Sequence, residues 1–379
     1  MTRPYQICTR CVMDTSDSEI IFDDEGVCNH CARFDSVTSK RWHPDAAGAR
    51  LLEEKLEEIR LAGKGREYDC IIGLSGGVDS SYLALKTKEW GLRPLVVHVD
   101  AGWNSELAVS NIESVVKTCG YDLHTIVIDW EEVRDLQLSY LKSGLANQDV
   151  PQDHVFFASL YRYAVKNNVK YVLSGGNIAT ESVFPASWHG DAMDKINLLA
   201  VQKEFGTRKL KTYEMISLWE YYVMFPFIHG LRTFRPLNYI PYDKSEAVAE
   251  LSRTGWRPYG RKHGESRFTK LFQNYYLPEK FGYDKRRPHY SSMILSGQMT
   301  RDEAVIAMEE PLYEEQDLAA DLAFFCKKLG ISVADFQRYM SEPNRTYTDF
   351  ANWDSRKEAI KRLQMLLRKL RGRDLSVYS

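Results

Sequence analysis

The stretch that most constrains this chain is IIGLSGGVDSS, residues 71–81. An apolar run from Ile71 to Leu74 stops at Ser75, Gly76 and Gly77, and a helical pattern follows at once through Val78 and Asp79. Adjacent glycines behind a buried strand let the backbone approach a partner closely. The N–H groups of such a turn and of the following helix converge on one concavity that suits an anion. Ser75, Ser80 and Ser81 add hydroxyl donors. Asp79, in the first turn, complements the helix dipole and can hold Mg2+ against phosphates. The loop lacks the lysine of the common nucleotide-hydrolysing loop, and it is not the Gly-x-Gly-x-x-Gly dinucleotide loop either.

The surrounding pattern alternates. Strand-like runs at Cys70–Leu74, Leu95–Val99, Thr125–Ile128 and Tyr171–Leu173 enclose helical segments near 79–90, 105–119 and 154–167. Continuous apolar strands alternating with helices predict an α/β fold with a doubly wound, mainly parallel sheet. Ligands of such sheets sit at the carboxyl ends of the strands. Two more strand ends therefore matter. VVHVDAGWNS puts His98 and Asp100 at one, and YVLSGGNIATES puts Gly175, Gly176 and Asn177 at another, with Glu181 one turn on. Taken alone, His98 is better read as a satisfied half-buried histidine. Asn177 and Glu181 read equally well as a capped helix start.

Ahead of this unit, Cys8-x-x-Cys11 and Cys28-x-x-Cys31 can place four thiolates at the corners of a tetrahedron, the geometry of structural zinc. Four thiolates leave no open position, so the expected role is folding rather than catalysis. The other three cysteines, Cys70, Cys119 and Cys326, are isolated and read as buried thiols. No apolar N-terminal leader is evident, and the aromatic stretch 221–228 is too short to span a bilayer. A cytoplasmic protein is expected, without membrane insertion.

Charge is uneven. Residues 203–287 carry 17 Lys+Arg against 9 Asp+Glu in a chain of net charge −2. The basic residues Arg257, Arg261, Lys262, His263, Arg267, Lys270, Lys285, Arg286 and Arg287 interleave with Trp256, Tyr259, Phe268 and Phe272. That clustering suits a small polyanion such as a nucleotide better than long nucleic acid, which is not expected as a partner. Capping signals follow at Asp243/Glu246 and Thr300/Glu303, and helices are expected near 301–309, 315–329, 332–341 and 354–371. The division expected is a zinc unit at 1–40, an α/β domain around the SGGVDSS loop at 41–200, a basic ligand-binding segment at 201–300 and a helical region at 301–379.

Ser-Gly-Gly-x-Asp-Ser resembles the pyrophosphate loop of the PP-loop ATP pyrophosphatases. The resemblance implies that Ser75, Gly76, Gly77, Asp79, Ser80 and Ser81 cradle pyrophosphate as ATP is cleaved between its α and β phosphates. It also implies nucleotide contacts for His98, Asp100, Gly175 and Asn177. CTRCVMDTSD, CNHC, HVDAGWNS, SGGNIATES and GWRPYGRKHGESRFTKLFQNYYLPEKFGYDKRR together resemble the N-acetyl sugar amidotransferases, from Cys8 to about Pro311. This implies conversion of an acetamido group on a nucleotide-linked sugar to an acetamidino group, with ATP, Mg2+ and structural Zn2+. Asp79, Lys262, Arg267, Lys270 and Glu181 are the catalytic candidates, and His263, Lys285, Arg286 and Arg287 the substrate-binding ones. Glu181, Asp191 or Glu265 would face the cationic product. With no cysteine placed as a glutaminase nucleophile, ammonia is expected from a separate glutaminase subunit, with a cyclase-like companion. The rival reading is a PP-loop tRNA thiolation enzyme, which predicts a broad basic surface and a catalytic cysteine.

Overall fold

The computed structural model describes residues 4–259 and 266–371, with side chains as far as 365. Five strands form one sheet: β1 (Cys70–Gly73), β2 (Pro94–Asp100), β3 (Leu123–Val127), β4 (Tyr171–Leu173) and β5 (Arg232–Phe234). Their order is β3-β2-β1-β4-β5, and every neighbouring pair is parallel. The winding direction reverses between β1 and β4, so the crevice there is where such a sheet takes a ligand.

Helices cover both faces. The long ones are α1 (Ala46–Ala62), α2 (Val78–Glu89), α3 (Glu106–Cys119), α4 (Trp130–Ser143), α5 (Val150–Lys166), α6 (Lys195–Phe205) and α7 (Lys244–Ser252). Alternate strand residues point to opposite faces. Ile71, Leu95, Val97 and Val172 pack on α5 through Ala158, Leu160, Tyr161 and Ala164. On the other face, Cys70, Ile72, Tyr171 and Leu173 pack on α1, while Val96 packs with α2, α3 and α7.

Several elements differ from the sequence expectation, α6 and the helix Arg286–Leu295 among them, and two are instructive. β5 falls in the segment read as basic and loop-rich, and its Arg-Thr-Phe, between Gly230 and Pro236, carries no apolar run to reveal it. Helix α4 was not expected because it buries polar groups that break its apolar stripe. Glu132 accepts backbone N–H bonds from Lys211, Thr212 and Tyr213, and Asp135 accepts from Thr207 and Arg208.

The C-terminal region is helical: α8 (Arg286–Leu295), α9 (Arg301–Glu309), α10 (Glu315–Leu329), α11 (Val333–Ser341) and α12 (Asp354–Arg371). Thr300 and Glu303 form the expected capping box of α9. Phe268, Phe272 and Tyr276 join Phe325 and Phe336 in one core with Trp103 and Leu141 of the α/β unit. Among the described residues no helix is long and apolar enough to cross a membrane.

Candidate functional site

The loop after β1 is tightly built. Ser75 Oγ lies 3.1 Å from Ser80 Oγ and accepts from Gly77 N–H at 3.3 Å, and Ser80 Oγ donates to Gly77 O at 3.2 Å. Gly76 has φ +84°, and a Cβ there would stand 2.7 Å from the Ala108 carbonyl oxygen. Only glycine adopts that backbone at little cost. The Gly76 carbonyl is held from outside by Trp256 Nε1–H at 2.9 Å and Tyr259 OH at 2.8 Å. Gly77 is the N-cap of α2 and brings no side chain to cap it. Among the described residues no side chain caps the first turn, so its N–H groups, with the positive end of the helix dipole behind them, suit an anionic ligand. Ser81, grouped with the loop from sequence, is fully buried, and its Oγ has no partner. It belongs to the core face of α2 rather than to the loop mouth.

The end of β4 faces this loop across the crevice. A Cβ on Gly175 would lie 2.8 Å from the backbone carbon and oxygen of Asp79, so the two chains meet backbone to backbone. Asn177 caps the short helix Ile178–Glu181 through Thr180 N–H, and its Nδ2 donates to Asp79 Oδ1 at 3.3 Å. Tyr242 OH donates to the same Asp79 oxygen. Burial first, then the charges of Asp79 and Glu181, hold the Tyr242 phenol far above its usual range, so it remains a donor. Asp79, Asn177, Glu181 and Tyr242 therefore meet at the carboxyl ends of β1 and β4. Tyr242 was not singled out from sequence; Pro241 before it and the Asp243 cap after it were the only local signals.

The β2 end is self-satisfied. His98 Nδ1 bonds the Leu74 carbonyl at 2.8 Å, and its Nε2 accepts from Asn104 Nδ2 at 2.9 Å. Asp100 Oδ1 takes Gly102 N–H at 2.7 Å and Asn104 Nδ2 at 3.0 Å. The His98–Asn104–Asp100 chain shapes the loop wall with its own bonds.

The described basic residues do not converge on one site. Lys262 and His263, together with Glu265, lie outside the described residues. Arg267 and Lys270 both bind Asp321, each at 2.8 Å, and Arg267 stacks on Phe324. Burial would raise Asp321, but these two cations outweigh it and hold the carboxyl below its usual range. Arg286 binds Asp284 and the carbonyls of Met308 and Glu310 at the end of α9. Arg287 binds Asp14 and the Val12 carbonyl of the cysteine unit. The geometry thus gives Arg286 and Arg287 structural partners where a substrate was expected. Lys285 donates to His189 Nε2 at 3.0 Å and lies over Phe184. Asp191 is paired with Lys357 of α12. Three of the interleaved aromatics are likewise internal: Trp256 is buried against the loop, and Phe268 and Phe272 are buried in the helical core.

At the N-terminus, Cys8, Cys11, Cys28 and Cys31 are fully buried, with all four sulfurs within 4.8 Å of one another. Sγ separations of 3.9 Å (Cys8–Cys31), 3.6 Å (Cys11–Cys28) and 3.7 Å (Cys28–Cys31) match the roughly 3.8 Å edge of a tetrahedron with Zn–S bonds of about 2.3 Å. Backbone N–H groups of Arg10, Cys11 and Cys28 point at Cys8 Sγ. The donor set fits a closed zinc site. The remaining thiols are dispersed: Cys70, Cys119 and Cys326 lie in three different apolar clusters, and burial raises all three above the ordinary thiol range.

Residues 265–366 match the family model described as LPS biosynthesis protein WbpG-like, C-terminal domain. A 160-residue stretch is 29% identical to the glutamine-hydrolysing GMP synthases of two Thermus thermophilus strains, covering 41% of this chain and 29% of each of those proteins. The match thus spans under a third of the length of these curated relatives. Among solved structures, the NMN synthetase of Francisella tularensis is 22% identical over 34% of this chain and 55% of that one, with TM-score 0.27. The U34-tRNA thiolase NcsA of Methanococcus maripaludis, solved with its 4Fe–4S cluster, is 14% identical over 79% and 88%, with TM-score 0.34. The NH3-dependent NAD synthetase of Campylobacter jejuni is 15% identical over 55% and 97%, with TM-score 0.28.

Proposed function

We propose that this chain is the synthetase subunit of an ATP-dependent, AMP-forming amidotransferase that acts on a nucleotide-linked N-acetyl sugar in bacterial surface-glycan synthesis. The observation that carries the reading is the uncapped N-terminus of α2 behind Ser75-Gly76-Gly77, at the crossover of the sheet, with Asp79 beside it. The similarity of the C-terminal segment to a lipopolysaccharide-biosynthesis domain supports the sugar substrate, and the stretch similar to GMP synthase supports amide-nitrogen chemistry.

An amide oxygen is a poor leaving group until it is adenylated. The acetamido oxygen attacks the α-phosphorus, and pyrophosphate departs into the loop, where N–H groups and the α2 dipole stabilise its charge. Asp79 would hold Mg2+, which when bound neutralises phosphate charge; Tyr242 and Asn177 fix the carboxylate for that task. Ammonia then displaces AMP, leaving an acetamidino cation for which Glu181 is the nearby carboxylate. Buried, raised thiols at Cys70, Cys119 and Cys326 suit neither glutamine hydrolysis nor thiolation. Ammonia therefore comes from a separate glutaminase.

The test is incubation with ATP, Mg2+, ammonium and a panel of UDP- and CMP-linked N-acetyl sugars. Mass spectrometry should find the product in which NH has replaced the acetamido oxygen, formed together with AMP. Asp79→Ala should abolish AMP formation. AMP release within a few-fold of wild type in that variant, or AMP formation stimulated by tRNA alone, overturns the reading.

A further inference from the structure

Arg235 is the first residue beyond β5, at the carboxyl edge of the sheet. It is half-buried, its Nε is shielded from solvent, and that Nε has no hydrogen-bond partner. Its guanidinium forms no ion pair among the described residues. Leaving a desolvated guanidinium N–H without an acceptor is costly. An anionic ligand would complete it.

The surroundings say what completes it. A Cβ on Gly176 would stand 3.7 Å from Arg235 Nε, so the cation lies against the glycine end of β4. Gly175, one residue earlier, carries the first turn of α2 on its backbone. Neighbouring strands run about 4.8 Å apart, which puts β5 roughly 10 Å from β1, within reach of an arginine leaning over β4. Pro236 and Asn238 pin the turn that follows, and Asn238 Oδ1 accepts Ile178 N–H at 2.8 Å. The guanidinium is therefore held on the far side of the same crevice from the α2 N-terminus. Both present donors that suit phosphoryl oxygens.

We infer that Arg235 is an anion-binding residue of the nucleotide site, closing on the phosphates of ATP from the β5 side as the pyrophosphate loop holds them from the β1 side. This rests on the ATP-cleaving reading above, but not on the identity of the sugar. It also supplies a protein cation where Arg267 and Lys270 are tied to Asp321.

Calorimetry with inorganic pyrophosphate, with MgATP and with a UDP-linked N-acetyl sugar tests it, on wild type, Arg235→Gln, Arg235→Lys and Gly176→Ala. Arg235→Gln should weaken pyrophosphate and MgATP by about ten- to a hundredfold, the loss of one charge-assisted contact. Its ligand-free melting temperature should stay level or rise, because a half-buried cation with a shielded, unpartnered Nε is removed. Arg235→Lys should recover part of the affinity. Gly176→Ala meets only ordinary contacts, at 3.4–3.7 Å, so it should fold, yet its methyl stands before Arg235 and should weaken pyrophosphate too. Pyrophosphate binding by Arg235→Gln within twofold of wild type overturns the assignment. So does a drop in ligand-free stability without loss of affinity, which marks a structural residue. A loss confined to the UDP-sugar overturns it as well, giving the cation to the sugar nucleotide's diphosphate. Failure to form an acetamidino product from any sugar would sink the sugar reading while leaving the pyrophosphate result standing.

Discussion

Gly175 and Gly176 are adjacent and have different jobs. At Gly175 the atoms a Cβ would meet are the backbone of Asp79 and Ser80, at 2.8 and 3.0 Å, and backbone cannot swing aside. Gly175→Ala must lever the first turn of α2 off the end of β4. We expect a stability loss of about 1–3 kcal/mol in urea unfolding, the usual range for overpacking. AMP formation should fall by about a hundredfold, because the loop would be displaced from its aligned position. Equal activity in a folded Gly175→Ala protein would show that the contact between β4 and the loop is not needed. From sequence the two glycines were one Gly-Gly strand end; only the packing separates them. Arg235 was equally hidden, since its meaning lies in lacking a partner, and a sequence does not state who is missing one.

At the scale of elements, α5 anchors the segment that leads to β5. His154, buried on α5, donates from Nδ1 to the Ala192 carbonyl at 2.9 Å and accepts Ile216 N–H on Nε2 at 3.0 Å. Burial pushes its pKa down from 6.5 to about 4. A protonated ring cannot accept Ile216 N–H. The depressed value means that His154 contributes its full stability above pH 6.5 and loses it as pH falls towards 4, at most about 3 kcal/mol. His154→Gln, which keeps one donor and one acceptor without titrating, should flatten the melting temperature across that window. An unchanged slope would remove His154 from the acid response. The same scale explains what was legible. β1, β2 and β4 are covered on both faces and read as continuous apolar runs. Helix α4 did not, because Glu132 and Asp135, residues that usually mark a solvated face, turn inward to bind the backbone of 207–213. The basic cluster was visible as charge, but the Asp321 that neutralises Arg267 and Lys270 lies about fifty residues downstream.

At the scale of the molecule, the cysteine unit is a brace against the elements that follow β4. Val12 N–H bonds Ser291 of α8, Asp17 bonds Ser187, and Trp188 Nε1 bonds the Ser16 carbonyl. Arg301, at the start of α9, donates to the carbonyls of Cys8 and Cys11, and Arg287 of α8 pairs with Asp14. Val183 shares an apolar cluster with the four cysteines. The path to the crevice is short: His289 of α8 bonds the Thr180 carbonyl, beside Glu181 and three residues from Asn177. Structural zinc supplies about 10 kcal/mol or more to small units that fold only around it. Stripping the metal, or Cys8→Ser, should therefore unfold the unit and loosen residues 183–189 and 286–301 as well. Hydrogen exchange should rise in those segments, while β1 to β3 keep their protection. Metal analysis should give one zinc per chain before chelation. AMP formation should fall together with the exchange change in 177–183, since Asn177 would lose its footing next to Asp79. If chelation exposes the cysteines but leaves exchange in 183–189 and 286–301 at its native rate, the unit is an appendage. The sheet crevice would then owe nothing to it.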